Sequence, residues 1–371
     1  MKNVMTAGAA LLLTTTSALA LGLDRSGQPT GIIFEDGSYA EFSFGYVMPS
    51  LDGEDIDIGL GGGASSGNVG DAFSVLGLGY KQDINERISI AVIFDQPYGA
   101  NVSYDPTGSV NLGGTAATVE SNAVTGLVKY QIDGNWSVYG GLRAQTISAD
   151  VTLAGAAFGP ANGYNASFDS NTGFGYTLGT AYEIPDIALR VALTYHSEIE
   201  HSFPTTEFIP AGLGGFGSLE TADTKVTTPQ AINLDFQTGI AADTLLFGSI
   251  RWADYDVTEV VPELFGNSLT DLSTGTEYSI GVGRRFSDAF SGSVTVGYEA
   301  EGDDDLVSPL SPTNGTTSIA VGGQYTAGNI TYSAGVSYFV FGDARPETSI
   351  AASEFTDNSA IAVGFRVGYR F

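Results

Sequence analysis

The chain has 371 residues, of which 42 are acidic and 14 basic, and the resulting net charge of −28 argues against a nucleic-acid partner. It contains 50 glycines but no cysteine, which excludes disulfides, cysteine-zinc sites and thiolate catalysis. No run of ~20 apolar residues follows the extreme N-terminus, so a polytopic helical membrane protein is excluded, and a hydrophobic content of 43% argues against disorder.

The N-terminus has the features of a secretory signal peptide. Lys2 supplies a positive start, residues 7–13 form a short apolar core, and Ala18-Leu19-Ala20 matches the small-x-small cleavage pattern. The apolar core is too short to serve as an uncleaved membrane anchor. We therefore expect an exported protein with three parts, which are a signal peptide at 1–20, a short N-terminal segment at 21–37 and a β-domain at 38–371 that begins with a strand near 38–48.

Segments of alternating polarity recur along the rest of the chain. Because side chains alternate faces along a strand, each segment predicts a strand with one bulky apolar face and one small or polar face. A soluble sandwich could show the same alternation, but an apolar face that stays bulky throughout is typical of a membrane barrel. The clearest segments are residues 88–94, 174–179, 187–195, 232–237, 319–325, 330–338 and 361–371.

The connections between these segments alternate in length. Short ones carry Asp, Asn or Gly, as tight turns require, and lie near residues 82–86, 131–135, 184–186, 241–243, 287–289 and 327–329. Long polar ones lie near residues 49–71, 97–116, 151–172, 202–224, 255–273, 301–314 and 343–357. Short periplasmic turns and long extracellular loops are typical of outer-membrane barrels. The pattern predicts an all-β fold, a transmembrane antiparallel β-barrel of about 14 strands with both termini on the periplasmic side.

Aromatic side chains flank the short turns, as expected for a girdle at the membrane interface. The alternative is that they are ordinary core aromatics beside hairpin turns. The residues are Tyr80, Tyr130, Trp136, Tyr182, Phe286, Phe290, Tyr325 and Phe371. The C-terminal Phe371 also predicts recognition by the barrel-assembly machinery, and the barrel exterior predicts contact with outer-membrane lipid and lipopolysaccharide.

Several stretches resemble the FadL/TodX-type outer-membrane transporters of long-chain fatty acids and other hydrophobic compounds. The resemblance extends over nearly the whole mature chain, with low specificity in each segment. The stretches that carry it are Gly22-Leu23-Asp24-Arg25-Ser26-Gly27, Gly173-Phe174-Gly175-Tyr176-Thr177-Leu178-Gly179, Leu193-Thr194-Tyr195-His196-Ser197-Glu198-Ile199, Thr228-Pro229-Gln230-Ala231-Ile232-Asn233-Leu234 and Ser311-Pro312-Thr313-Asn314-Gly315.

The resemblance implies a fourteen-stranded barrel with an N-terminal hatch in the lumen, a capture site among the extracellular loops, an internal pocket and a lateral opening at a kinked third strand. Residues 21–37 make only a short hatch, and Ile32-Ile33-Phe34-Glu35-Asp36-Gly37 stands where the family has an Asn-Pro-Ala motif. Pro97-Tyr98-Gly99 marks either the strand-three kink or a simple strand end.

Apolar residues in the long connections are candidates for hydrophobic capture, since exposed apolar surface rimmed by polar groups marks binding sites. The alternative, compatible with the first, is a small loop core that caps the barrel. The candidates are Phe158, Tyr164, Phe208, Ile209, Leu213, Phe216, Val261 and Phe265, with Leu153, Phe203, Pro210, Val260 and Leu264 nearby.

Arginines on the lumen side of predicted strands are candidates for binding the carboxylate of a fatty acid through charge-assisted hydrogen bonds. The candidates are Arg143, Arg190 and Arg251, with Arg366 in a similar position. The alternative is a structural role, in which each pairs with interior acids such as Asp235 or Glu183.

Other motifs carry little chemistry. His196 and His201 have opposite parity on a strand and cannot share a metal without a bulge. Gly61-Gly62-Gly63 lacks the lysine of a phosphate-binding loop, and the acidic runs at 52–57 and 303–305 miss the calcium-loop spacing. We expect no catalytic site, metal or cofactor. The function predicted is passive uptake of hydrophobic small molecules, chiefly long-chain fatty acids, by a monomer; a general diffusion porin and a structural or adhesive surface barrel are the alternatives.

Overall fold

The computed structural model describes residues 23–215, 217, 219–302 and 305–371. The predicted signal peptide at 1–20 lies outside the described residues. Within the described part of the chain, no helix is both long and apolar enough to cross a membrane.

The main feature is one antiparallel sheet of 17 strand segments. At three positions in the wall two consecutive segments lie end to end, so the sheet contains 14 strands, and it closes where the first pairs with the last, Tyr39 opposite Arg370. The strands are β1 Tyr39–Ser50, β2 Phe73–Asp83, β3a Ile88–Asp95 with β3b Gly99–Ser103, β4 Ala116–Gln131, β5 Trp136–Leu153, β6 Tyr164–Ile184, β7a Leu189–His196 with β7b Ile199–Phe208, β8a Leu219–Thr228 with β8b Ala231–Ala241, β9 Thr244–Ala253, β10 Gly275–Arg285, β11 Phe290–Glu299, β12 Asn314–Ala327, β13 Ile330–Gly342 and β14 Ser359–Arg370.

Short strands and 3₁₀ helices lie at the two ends of the barrel. Short strands form a three-stranded sheet from Asp52–Asp55, Ser65–Asn68 and Ser353–Phe355, and a parallel pair from Leu306–Val307 and Arg345–Pro346. The 3₁₀ helices are Gly31–Phe34, Ala156–Ala161, Pro185–Ile187, Ala211–Leu213 and Tyr255–Val257. Apart from the first 3₁₀ helix and Pro185–Ile187, these elements lie in the long connections.

The alternation of polarity predicts the strands correctly. On β14, Ile361, Val363 and Phe365 are exposed on the outer face, whereas Ala360 and Ala362 are buried. All six short turns are confirmed. One detail was wrong: Ile187 belongs to a 3₁₀ turn, not to a strand, because Pro185 fixes φ and lacks an N–H donor for the ladder.

The predicted aromatic girdle lies on the outside of the barrel. Seven of its eight members are exposed, and the eighth, Tyr182, is half-buried against Trp136 with ring centroids 4.8 Å apart. Exposed aromatics at the end with the short turns are not core residues, so the alternative of ordinary core aromatics is wrong. Recognition of Phe371 by the assembly machinery stays a prediction.

Three predicted long connections are wrong in extent. The connection 97–116 contains strand β3b, 151–172 shrinks to 154–163, and 202–224 is largely the hairpin of β7b and β8a. These strands continue well beyond the ~10 residues that a membrane crossing needs. Their outer ends are polar on the outside, which is why the sequence suggested loops there.

The polarity of the wall reverses along these long strands. On β5 the outward residues Val138 and Leu142 are apolar, whereas Thr146 and Asp150 further along the same face are polar. The inward side changes in the opposite sense, from Arg143 to buried Val151 and Leu153. The end of the barrel with the long connections therefore has its apolar face inside, like the core of a water-soluble sheet protein.

The described part of the N-terminal segment lies inside the barrel. Its 3₁₀ helix buries Ile32, Ile33 and Phe34 against lumen-facing residues that include Leu127 and Tyr139. Phe34 contacts Tyr139 edge-to-face, with ring centroids 5.4 Å apart. This apolar cluster fills the lumen toward the end with the short turns.

Candidate functional site

A buried ion pair and a buried hydrogen bond connect the N-terminal segment to the wall. Asp24 accepts a hydrogen bond from Arg251 Nε at 2.7 Å, and Ser26 donates one to Asp95 at 2.6 Å. Asp95 in turn pairs with Arg143 at 3.0 Å. All four charged side chains are almost completely buried. Breaking such a pair leaves an uncompensated charge, so these contacts hold the segment in one position.

The same segment contacts a kink in the third strand. Gln96-Pro97-Tyr98 separates β3a from β3b, and the kink turns Tyr98 into the interior, where it is buried. Arg25 N–H donates to the carbonyl of Pro97 at 2.8 Å, and Gly99 N–H donates to the carbonyl of Leu23 at 2.9 Å. Of the two sequence interpretations of Pro97-Tyr98-Gly99, the kink is therefore correct, because the strand resumes at Gly99.

The kink leaves a gap in the wall between β2 and β3. Pairing between these strands runs only from Leu78 opposite Phe94 to Asp83 opposite Ser89. Residues 73–77 of β2 pair with β1, but no strand in the described part of the chain pairs with their other side. The Gln96 side chain crosses the gap, because its Oε1 accepts Leu76 N–H at 2.7 Å and its Nε2 donates to Asn122 Oδ1 of β4 at 3.3 Å.

A chamber of about 360 Å³, which we call the opening chamber, lies at this gap. Its lining combines inward side chains, Arg25 and Tyr98, with outward ones, Ser74, Glu120 and Asn122. Residues of both faces can line one space only where the wall is interrupted. The opening chamber is therefore a polar space located at the interruption of the wall.

A second space, which we call the apolar cavity, lies on the other side of Tyr98. It measures about 110 Å³, and its wall is formed by inward-facing residues of β3b, β4, β5, β6, β7b and β8a and by two long connections. Its principal apolar residues are Leu23, Tyr98, Ala117, Val119, Ile147, Ala149, Val151, Phe168, Phe203, Val226, Val260, Leu269, Leu272 and Leu310. Among the residues that the structure describes, no carboxylate, arginine or lysine lines it.

The connection 254–274 covers part of the apolar cavity and is clamped by one buried carboxylate. Glu207 accepts the hydroxyl of Tyr164 at 2.8 Å and the backbone N–H groups of Leu264 and Phe265 at 3.1 and 3.0 Å. The rings of Tyr164 and Phe265 stack with centroids 4.3 Å apart. The covering connection is thus fixed to β6 and β7b.

None of the described principal candidates for hydrophobic capture lines the apolar cavity, whereas Phe203 and Val260, which the sequence also pointed to, do line it. Tyr164 is part of the buried apolar cluster around the cavity, and Phe158, Ile209 and Phe265 pack against that cluster. Phe208 is half-buried, and Leu213 and Val261 are exposed in the long connections. Phe216 lies outside the described residues. The alternative of a loop core therefore describes Tyr164, Phe158, Ile209 and Phe265 well.

The three predicted carboxylate-binding arginines all point inward, and none lines the apolar cavity. Arg143 and Arg251 are paired with Asp95 and Asp24, and Arg190 bonds to Gln237 at 3.1 Å and lies 4.8 Å from the Phe34 ring centre. The acids that pair with them are not Asp235 or Glu183, which the sequence suggested. Their observed partners favour the structural role.

Sequence reasoning missed Ala117, Val119, Ile147, Ala149 and Val151, which line the apolar cavity from β4 and β5. A signal was present: on each strand the apolar residues change from the outward to the inward parity toward the outer end. The two histidines are also accounted for. His196 and His201 are buried, and no group of three or more possible metal ligands occurs among the described residues.

A closed fourteen-stranded barrel with an internal segment, an apolar cavity and an interrupted wall defines an outer-membrane channel for hydrophobic compounds. The chain belongs to the outer membrane protein transport protein family (OMPP1/FadL/TodX), whose model matches residues 29–364. The family consists of passive transport channels of Gram-negative outer membranes, so the chain is not an enzyme. The end with the short turns is accordingly periplasmic, and the end with the long connections is extracellular.

Solved structures show the same fold at low sequence identity. A FadL homologue of Pseudomonas aeruginosa is 15% identical with a TM-score of 0.75, covering 99% of this chain and 96% of its own. The toluene transporter TodX of P. putida is 15% identical with a TM-score of 0.64, covering 91% and 90%. The toluene transporter TbuX of Ralstonia pickettii is 13% identical with a TM-score of 0.62, covering 90% of each chain. Among curated proteins, no sequence is significantly similar.

Proposed function

We propose that this channel takes up hydrophobic molecules whose apolar part, about the size of one aromatic ring, rests in the apolar cavity. The observation that carries the proposal is the cavity itself, whose lining in the described part of the chain is apolar and includes no carboxylate, arginine or lysine. An apolar cavity of about 150 Å³ accommodates benzene, so a space of about 110 Å³ suits a compact hydrocarbon group. TodX and TbuX are both described as toluene transporters.

Long-chain fatty acids are the second candidate cargo. A whole long chain exceeds the apolar cavity, but its terminal carbons would fit. The observation that favours an acid is the presence of a cation, Arg25, in the neighbouring opening chamber.

The route that we propose begins at the extracellular connections, where Leu213, Val261 and the surrounding apolar residues capture cargo. From the apolar cavity the cargo passes Tyr98 into the opening chamber and leaves through the gap in the wall. Residues 21–37 act as the hatch, and two features support this role. The buried pair of Asp24 with Arg251 anchors the segment, and the cluster around Phe34 blocks the direct path to the periplasm.

The test is calorimetric titration of toluene and of a long-chain fatty acid into the refolded mature protein in non-ionic detergent. We expect saturable binding of both and mutual competition, because both place apolar groups in one cavity. Ala117→Phe fills the cavity and should abolish both signals, whereas Ala334→Phe on the outward face of β13 should change neither. No binding together with large ion conductance in planar bilayers would favour the porin; no binding and no conductance would favour the adhesive barrel.

A further inference from the structure

Neighbouring groups hold the side chain of Arg25 in place beside the kink. Its guanidinium carbon lies 3.7 Å from the ring centre of Phe73, and its Nη2 donates to Asn101 Oδ1 at 2.5 Å. Gly99 also lies against this side chain, since any Cβ at that position would collide with the Nε and Cζ atoms of Arg25. The ring, the amide and the bare glycine hold the guanidinium in one orientation.

The guanidinium of Arg25 differs from those of Arg143 and Arg251 in its lack of ion-pair contact with a described carboxylate. Arg143 and Arg251 each have an aspartate within 3.0 Å. Among the described residues, no carboxylate lies within 4.0 Å of Arg25, and the single hydrogen bond recorded for its side chain leaves most of its five donors unused. Arg25 is half-buried, so its guanidinium has lost part of its hydration, and an anion in the chamber would replace the lost interactions.

The nearest acid acts only at a distance. Glu120 lines the opposite side of the opening chamber, is exposed, and is not in ion-pair contact with Arg25. Burial lowers the pKa of Arg25 to about 10, an effect that the charge of Glu120 opposes, so the guanidinium remains charged at neutral pH. The chamber thus contains a held cation with free donors.

The chamber that contains Arg25 adjoins the apolar cavity at Tyr98. Tyr98 lines both spaces, and Arg25 follows Leu23 and Asp24, the first of which also lines the apolar cavity. A molecule with an apolar body in the cavity and a polar head beyond Tyr98 would bring that head into the chamber with Arg25.

We propose that Arg25 binds the carboxylate of an amphiphilic cargo, and that the channel therefore prefers hydrophobic organic acids to neutral molecules with the same apolar body. Planar pairing of a guanidinium with a carboxylate supplies two parallel N–H···O bonds, which a hydroxyl or an ester cannot accept in the same way. The inference rests on the proposed function, because it needs the apolar body of the cargo to be held in the apolar cavity.

The experiment compares 3-phenylpropionate with 3-phenylpropanol, which share a ring and a chain and differ in the terminal group. Both are titrated into the refolded protein in non-ionic detergent without phospholipid. We expect the acid to bind about tenfold more tightly than the alcohol, the scale of one charge-assisted hydrogen bond. In Arg25→Gln the affinity for the acid should fall to that for the alcohol, and the affinity for the alcohol should stay unchanged.

Three further variants sharpen the test. Glu120→Gln should strengthen acid binding, because it removes the repelling charge from the same chamber. Gly99→Ala should weaken acid binding as Arg25→Gln does, because it displaces the guanidinium and keeps its charge. Arg284→Gln is the matched control: this arginine is exposed near the periplasmic turn, bonds to Thr244 at 3.0 Å, and should leave both affinities unchanged.

The outcomes separate the two claims. If neither compound binds the unaltered protein, the proposed function fails. If both bind equally and Arg25→Gln changes nothing, the inference about Arg25 is overturned and the channel for hydrophobic molecules stands. Equal binding of acid and alcohol, together with Arg25-dependent binding of phosphatidylglycerol, would assign the cation to a lipid phosphate and would also overturn it.

Discussion

The apolar cavity and the opening chamber share Tyr98, yet opposite kinds of side chain surround them. On β4, Ala117 and Val119 line the cavity, whereas Glu120, Ser121 and Asn122 line the chamber. Beside the cavity, the carboxylate of Asp24 is paired with Arg251. In the chamber, Arg25 retains free donors. If cargo binds as we propose, this difference separates the binding of its apolar body in the cavity from the binding of its polar head in the chamber.

The largest expected effect concerns the buried ion pair between Asp24 and Arg251. Arg251→Met leaves the Asp24 carboxylate buried without its cation, which should lower the free energy of unfolding by about 3–5 kcal/mol. Thermal unfolding in detergent measures it. The double variant Asp24→Asn with Arg251→Met should recover much of the loss, because no buried charge remains. Equal stability of the single and double variants would contradict the pairing as the reason that this region holds its shape.

The next effect concerns the cover of the apolar cavity. Glu207→Gln replaces an acceptor-only carboxylate with a group that cannot accept all three of its bonds, so we expect a loss of about 1–3 kcal/mol. Amide exchange at residues 260–270 should accelerate, and cargo affinity should fall. Glu259→Gln in the same connection is the control, since that side chain is exposed. Unchanged exchange in Glu207→Gln would show that the cover is held by other contacts.

A smaller effect is expected in the opening chamber. Gln96→Ala removes both bonds that cross the gap, each with a net contribution of about 1 kcal/mol. Water can replace them in this polar space, so stability should change little while cargo is released faster, which stopped-flow displacement can measure. Gln82→Ala at the periplasmic end of β2 is the control. A release rate unchanged by Gln96→Ala would mean that the side chain does not close the gap.

The smallest effect lies outside both spaces. A hydrogen bond from Arg345 lowers the pKa of Asp305 below its ordinary value of 3.8. The pKa of Asp305 is therefore lower in the folded protein than in the unfolded one. The contact with Arg345 stabilises the folded protein at pH values above the ordinary pKa of the carboxyl, and this stabilisation is lost as pH falls below that pKa. Exchange at residues 343–347 should accelerate at acidic pH in the unaltered protein but not in Asp305→Asn. Cargo affinity should be the same in both.

Much of the barrel could be predicted because a membrane imposes a simple rule on each strand, bulky outside and small or polar inside. The extracellular ends obey the reverse rule, so 164–172 and 202–208 were interpreted as loops although they continue β6 and β7b. Parity placed Arg251 inside the barrel but could not name its partner, because Asp24 is distant in sequence and belongs to no strand. Arg25 was missed for a related reason, since no periodicity exists in the N-terminal segment.

The reversal of polarity along β4 and β5 has a practical consequence for engineering. Insertion into the bilayer depends on outward residues such as Val138 and Leu142 of β5. In the proposed function, ligand choice depends instead on inward residues nearer the extracellular end, such as Ala117 of β4 and Val151 of β5. Libraries that vary only the second group would leave the lipid-exposed belt intact. Cargo selectivity in this scaffold can therefore evolve, or be redesigned, without disturbing the features that deliver the polypeptide to its membrane.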